Sequence, residues 1–406
     1  MQSARTDTRY YTLDFWRGIA CLLVVAFHSS FYLIENPKIA KPEGIGRLAY
    51  MAMDHAWVGV PMFFVISGYC ITAACIGAAR RGFKPGDYFL RRFRRIYPPY
   101  WIAIVMFLLL CGVLAITRLD WLLFDEIHPF KRPFSLSWVQ WCGNLTLTEV
   151  WRPNVVGNED VRFFLGVAWT LCYEEQFYLV CGLLMWLSPR HLFRNCLWVT
   201  VAIGLPILYQ TATTGVGNHQ SGFFFDGRWL EFACGIGVYY QIHHAGKNPA
   251  LWKKHLLSGS LLIAFVFTLI TWSIQKYGIL EELFVSSFFA MLLIALFRFD
   301  RIWFSGKIWR GIWICGTMCY SFYLVHAMSV KVLSNLLFRA GIEGLWMTAF
   351  VTLPVCIVFA AALSWPFHCL VERRCLNTKP VDFDIIFSRN QDHAKSAYAL
   401  PSPQSE

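Results

Sequence analysis

The sequence predicts an all-α protein: a polytopic bundle of about ten transmembrane helices with both termini in the cytoplasm. Three observations carry that expectation. Of 406 residues, 57% are hydrophobic and only 15% charged, against roughly 45–50% and 25% in a soluble domain. The mean hydropathy is +0.46, and the apolar residues gather in runs of about 20, the length that crosses a hydrocarbon core of roughly 30 Å. Between those runs the basic residues alternate in density. Disordered, collagen-like and small disulfide-stapled classes are excluded together.

The apolar stretches lie near 17–34, 57–79, 99–117, 166–187, 196–211, 225–242, 256–273, 280–297, 311–330 and 345–369. The fifth and sixth are short and contain Gly or Pro. With the N-terminus inside and strict alternation, inner segments hold 24 of the 36 lysines and arginines, the bias that orients membrane helices. An Arg-flanked start without a small-residue cleavage site makes the first stretch a signal anchor. The net charge of +11 is therefore a topology signal. Its carriers are split among membrane-flanking segments, so no nucleic-acid surface is expected. Most of the fourteen cysteines, such as Cys21, Cys70, Cys181 and Cys356, fall inside apolar stretches, where Cys acts as a small hydrophobe. No CxxC pair occurs, and neither a metal site nor a disulfide framework is expected.

One membrane domain, 1–375, is expected, followed by a polar, disordered cytoplasmic tail, 376–406. The outer segment 118–165 carries Trp121, Trp138, Trp141 and Trp151 and is long enough to cover a site as a lid or re-entrant element. The inner segment 80–98 reads as a short basic loop. Asn144-Leu-Thr146 is a glycosylation acceptor sequence, with meaning only in a eukaryotic secretory pathway.

Titratable groups inside spans cost at least ~2.5–3.5 kcal/mol each, which makes each a functional-site hypothesis. Arg17 and His28 lie eleven residues apart in LDFWRGIACLLVVAFH, on one helix face and roughly 16 Å apart along the axis. Glu174 in AWTLCYEEQFYL comes out at nearly the depth of His28. A carboxylate beside an imidazole would fix its tautomer and stabilise the imidazolium; a structural buried hydrogen bond is the alternative. In YFLRRFRRIYPPYW, Arg91, Arg92, Arg94 and Arg95 suit either an anionic ligand carrying several phosphates or lipid headgroups. Ser67 beside Gly68 points to close helix packing or to a cavity wall. His326 in YSFYLVH either lines the same cavity or packs.

Together these stretches resemble the acyltransferase-3 family of integral membrane acyltransferases, over roughly residues 9–376. LDFWRGIACLLVVAFH, VGVPMFFVISGY, RRFRRIYPPYW, AWTLCYEEQFYL, YSFYLVH and SWPFHCLVER occur in the family's order. The family's Arg–ten residues–His motif falls on Arg17 and His28, its Arg-x-x-Arg motif on Arg92 and Arg95, and its Trp-x-x-x-x-Glu motif on Trp169 and Glu174. Many members have Asp where this chain has Pro61. Some carry an extracellular hydrolase-like domain, whereas only a short tail follows the tenth stretch here; transfer is then expected to finish in the membrane domain or with a partner.

The resemblance implies an O-acyltransferase with a cytoplasmic acyl-CoA, commonly acetyl-CoA, as co-substrate and no bound cofactor. The acceptor would be a hydroxyl of a glycan or glycolipid of the cell envelope, with polysaccharide-assembly proteins as further partners and a bacterial inner membrane as the home. In that scheme Arg17, Arg92 and Arg95 bind the donor, and His28 is the base or the acyl carrier. Glu174 orients its ring, and Ser67, Trp169 and His326 line the cavity. The rival class is an exporter of a lipid-linked or anionic substrate that uses the His and Glu as a proton relay. No paired broken helices in matching halves, the usual pointer to a transporter, are seen.

Overall fold

The computed structural model describes residues 10, 12–39, 41–82, 84–157, 160–214, 222, 227–244, 279–299 and 306–376. Its regular elements are all helical. Apart from single helical turns, in chain order they are α1 (Leu13–Ser29), α2 (Ile45–Asp54), α3 (Gly59–Arg80), α4 (Pro85–Ile116), α5 (Trp138–Leu145), α6 (Trp169–Leu187), α7 (Leu192–Thr214), α8 (Arg228–His243), α9 (Ile279–Leu296), α10 (Arg310–Thr317), α11 (Cys319–Arg339) and α12, which runs Leu345–Cys375 through two π-helical turns. Among the described residues four stretches are long and apolar enough to cross a membrane by length and composition: Ile45–Arg80, Pro85–Ile116, Cys319–Arg339 and Leu345–Cys375. Helices occupy the described part of each expected apolar stretch. The stretch 256–273 and the tail beyond Leu376 lie outside the described residues.

Three expectations need correcting. The basic segment 80–98 is not a loop, because α4 begins at Pro85 and runs unbroken through Pro98 and Pro99. Arg is a good helix former, and in apolar surroundings a helix satisfies the most backbone groups. Helical period then sorts the arginines: Arg91 and Arg94 are exposed, whereas Arg92 and Arg95 share the half-buried face with Tyr88, Ile96 and Pro99. The ninth stretch is two helices, broken at Met318 between α10 and α11. Asn144 is fully buried, its amide donating to the Gln140 and Arg162 carbonyls and accepting from the Phe164 N–H. It is a structural pin and offers no surface for glycosylation.

Two crossings set the frame. A Cβ on Gly68 would collide with the Phe232 carbonyl, and one on Gly235 with the Val65 carbonyl, so α3 and α8 touch backbone to backbone. Gly18 and Gly316 do the same where α1 crosses α10, against the Ile312 and Asp14 carbonyls. Small residues of this kind let membrane helices gain contact where lipid supplies no hydrophobic drive.

The segment 118–165 is held over the bundle by side chains of α4. Helix α5 starts with a reciprocal capping box between Ser137 and Gln140, which satisfies two of its first amides. At its other end Tyr100 donates to the Asn144 carbonyl at 2.9 Å, Trp101 to Leu145 at 2.9 Å and Tyr97 to Thr146 at 3.1 Å. Three carbonyls at or just beyond its C-terminus thus find donors on α4.

Candidate active site

A cavity of about 780 Å³ runs inside the bundle between α1, α3, α4, α6 and α11. Arg17, Cys70, Arg95 and Cys319 line one part of it. His28, Tyr32, Lys331 and residues 128–131 of the covering segment also line it, and on α1 and α11 these positions lie about three turns along from Arg17 and Cys319. Helical spacing explains the walls. On α11, Tyr320, Tyr323, Ala327, Lys331 and Ser334 form one stripe; on α6, Thr170, Glu174 and Tyr178 form another.

His28 sits in the last turn of α1 with Nδ1 2.7 Å from the Val24 carbonyl. A carbonyl only accepts, so Nδ1 carries the hydrogen and Nε2 keeps its lone pair. The ring of His326 lies with its centroid 5.0 Å away. His326 is 1% exposed, with Nδ1 at 2.7 Å from the Tyr323 carbonyl and 3.0 Å from that of Phe322. It does not line the cavity but packs behind His28, between α11 and α1.

Glu174 lines the cavity but does not orient the His28 ring; that pairing is not formed. Its Oε1 accepts from Tyr178 Oη at 2.6 Å and from Ser67 Oγ at 3.3 Å. The local carbonyl of Val24 has taken the place assigned to the carboxylate. Ser67 lines the cavity as expected from one of its two readings, while its neighbour Gly68 makes the close helix approach.

The arginines divide. Arg17 Nη1 lies 2.5 Å from Asp14 Oδ1, and Nη2 lies 2.9 Å from Cys70 Sγ, so its fork is anchored while the residue still lines the cavity. Arg95 lines the cavity as well. Arg92 does not. Its guanidinium lies over the rings of Tyr178, 4.8 Å from the centroid, and Tyr88, at 5.7 Å, where it backs the tyrosine that holds Glu174. Trp169 lines the cavity with the Arg228 guanidinium 5.1 Å above its ring. Pro61, in the first turn of α3 where an amide donor is not missed, also faces the cavity.

Two charged groups escaped the sequence reading. Arg228 pairs with Glu231 at 2.8 Å and with Glu282, and both Arg228 and Glu282 line the cavity. Lys331 reaches Asp125 Oδ1 at 2.5 Å, Tyr32 Oη at 2.9 Å and the Ile127 carbonyl, and Asn335 donates to the other Asp125 oxygen at 3.1 Å. The signal existed: Arg228, Glu231 and Glu282 are charges inside expected apolar stretches, and the rule that singled out Glu174 applies to them equally. Among the described residues no group of three or more His, Cys, Asp or Glu is arranged to hold a metal ion.

Among the described residues the chain is all-α, with helices fit to cross a membrane around a cavity lined by arginines and an imidazole, the architecture of an integral membrane protein. Residues 10–368 match the acyltransferase domain of the acyltransferase-3 family, and the chain belongs to that family of membrane acyltransferases. It is 23% identical over 375 residues, 87% of this chain and 53% of the relative, to the putative peptidoglycan O-acetyltransferase YrhL of Bacillus subtilis (strain 168). It is 23% identical over 344 residues, 80% of this chain and 50% of the relative, to the peptidoglycan O-acetyltransferase OatA of Listeria monocytogenes serovar 1/2a (strain ATCC BAA-679 / EGD-e). A third relative, protein 2 in the picA locus of Rhizobium radiobacter, is 26% identical over 41% of this chain and 77% of its own length. The chain thus spans about half the length of the first two relatives. No solved structure matches it.

Proposed function

We propose that the protein moves an acyl group, in the first instance acetyl, from cytoplasmic acyl-CoA to a hydroxyl of a cell-envelope glycan. One observation carries the reading: Arg17, Arg95 and a His28 with a bare Nε2 line a single cavity. Arginines suit the phosphates of a CoA, and a neutral imidazole suits the removal of a hydroxyl proton. The relatives named as peptidoglycan O-acetyltransferases favour a peptidoglycan-type sugar as acceptor. The topology that serves this reading has ten spans with both termini in the cytoplasm of a bacterial cell, in its plasma (inner) membrane.

In this scheme the donor docks at the Arg17–Arg95 part of the cavity and its thiol arm extends toward His28. The acceptor enters beneath the segment 118–165. His28 Nε2 takes the hydroxyl proton as the oxygen attacks the thioester; the C–S bond breaks, the C–O bond forms, and the proton leaves with the thiolate. An acyl-histidine is the alternative route. Glu174, held by Tyr178 and Ser67, acts through space on the charge that develops on the imidazole.

The test uses membranes containing the protein or its His28→Ala variant, labelled acetyl-CoA and a glycan extract of the host. Label is expected in glycan only with His28 present. Equal label with both forms would remove His28 from the chemistry. A wild-type protein that labels nothing with any acyl donor, yet carries an anionic solute across vesicles, would replace the reading with an exporter.

A further inference from the structure

His326 is a buried polar group without a use in this scheme. It is 1% exposed, and among the described residues its Nε2 has no hydrogen-bond partner. Leaving such an atom unpaired is costly, so its presence calls for a role. Its Nδ1 faces the carbonyls of Phe322 and Tyr323, which makes Nδ1 the donor and Nε2 a bare acceptor. His28 is in the same tautomer for the same reason. Two imidazoles, each held through Nδ1 by its own helix, thus stand 5.0 Å apart by ring centroid, nearly perpendicular at 77°.

We propose that His326 is the positioning partner of His28: its Nε2 accepts a hydrogen bond from the imidazolium that His28 becomes during acyl transfer. This rests on the O-acyltransferase reading above. At rest both Nε2 atoms are acceptors and have nothing to share. Once His28 has taken the hydroxyl proton, its Nε2 is a charged donor. With the ring centroids 5.0 Å apart, turning both rings so that the two Nε2 atoms point toward each other brings them to hydrogen-bond distance. The proton is held between the rings until the thiolate collects it as the thiol, so the step consumes and produces nothing beyond the transfer itself.

The surroundings leave this role to His326. On α1 the other polar contact of His28 is the Val24 carbonyl. Glu174, on α6, is engaged by Tyr178 and Ser67. From the covering segment His128 stacks on Phe31 and pairs with Glu35. On α11, Lys331 is committed to Asp125, and Tyr323 to Thr170 and the Val167 carbonyl.

Two substitutions separate this role from packing. His326→Gln keeps an acceptor oxygen in the site; His326→Leu keeps the volume without one. With purified protein in lipid vesicles, kcat and KM for acetyl-CoA and for the acceptor are measured alongside Tm. The Gln variant is expected to hold kcat within about fivefold. The Leu variant is expected to lose about ten- to hundredfold in kcat, the worth of one charge-assisted hydrogen bond, with both KM values and Tm little changed. Equal rates for Gln and Leu, whether both high or both low, overturn the proposal, since packing alone then accounts for His326. A wild-type protein with no transferase activity overturns the function reading instead.

Discussion

At the scale of the residue, the two arginines of the Arg-x-x-Arg pair do different jobs. Arg95 lines the cavity, whereas Arg92 lies on the Tyr178 ring. Arg95→Ala is therefore expected to raise KM for acyl-CoA by roughly ten- to hundredfold with kcat largely kept, the cost of a lost charged hydrogen bond to phosphate. Arg92→Ala should instead lower kcat, through a loosened Tyr178 and Glu174, with a smaller change in KM. Steady-state kinetics on both variants decides the assignment. Sequence placed both arginines at the site through a motif, and helical phase puts both on one face of α4; one turn along the axis tells them apart, since Arg92 meets the Tyr178 ring and Arg95 the cavity. That difference was hidden because the segment read as a loop.

At the scale of the element, the segment 118–165 is fastened down. Lys331 and Asp125 are 5% and 11% exposed in their side chains, so breaking the pair leaves one buried charge alone. Asp125→Leu is expected to cost about 3–5 kcal/mol, and Lys331→Met with Asp125→Leu together to recover most of that. Thermal unfolding in detergent reads both effects. Hydrogen exchange at residues 121–131 should rise in the single variant and fall back in the double one. Sequence marked this segment as a cover from its length and aromatic content. It could not supply the fastening, because the partners lie 206 positions apart and Lys331 sits just past the end of an apolar run, where a snorkelling lysine is ordinary. The same limit applied to His28: an Asp or Glu at matching depth is visible in a sequence, whereas a backbone carbonyl one turn away is always present and so marks nothing.

At the scale of the whole molecule, the apolar runs were legible because a span must be long, apolar and helical. Which face of each helix met which neighbour was not, since lipid and protein interior select the same residues. Glycines were the exception in principle: the Ser67-Gly68 pair was read as a sign of close packing, and it is at Gly68 that the two backbones meet. Gly316→Ala is expected to destabilise the bundle by about 3 kcal/mol or more, because the added methyl meets the Asp14 carbonyl with no side chain to move aside; the drop in Tm measures it. For the proposed orientation, Cys142 on the outer face of α5 is exposed. A membrane-impermeant maleimide should label it in intact cells, and labelling only in inverted vesicles would reverse the topology.

The backbone contact of α1 with α10 has a mechanical meaning. With Gly18 against Ile312 and Gly316 against Asp14, α1 is seated main chain to main chain on α10, and any closer approach drives backbone into backbone. The helix that carries both Arg17 and His28 is therefore a fixed ruler, and the distance between its two marks does not stretch. Whatever reaches from one mark to the other must be long and slender enough to bridge it unaided. In the proposed reaction the walls would thus measure the donor by length, as a gauge does, while the cargo supplies the movement.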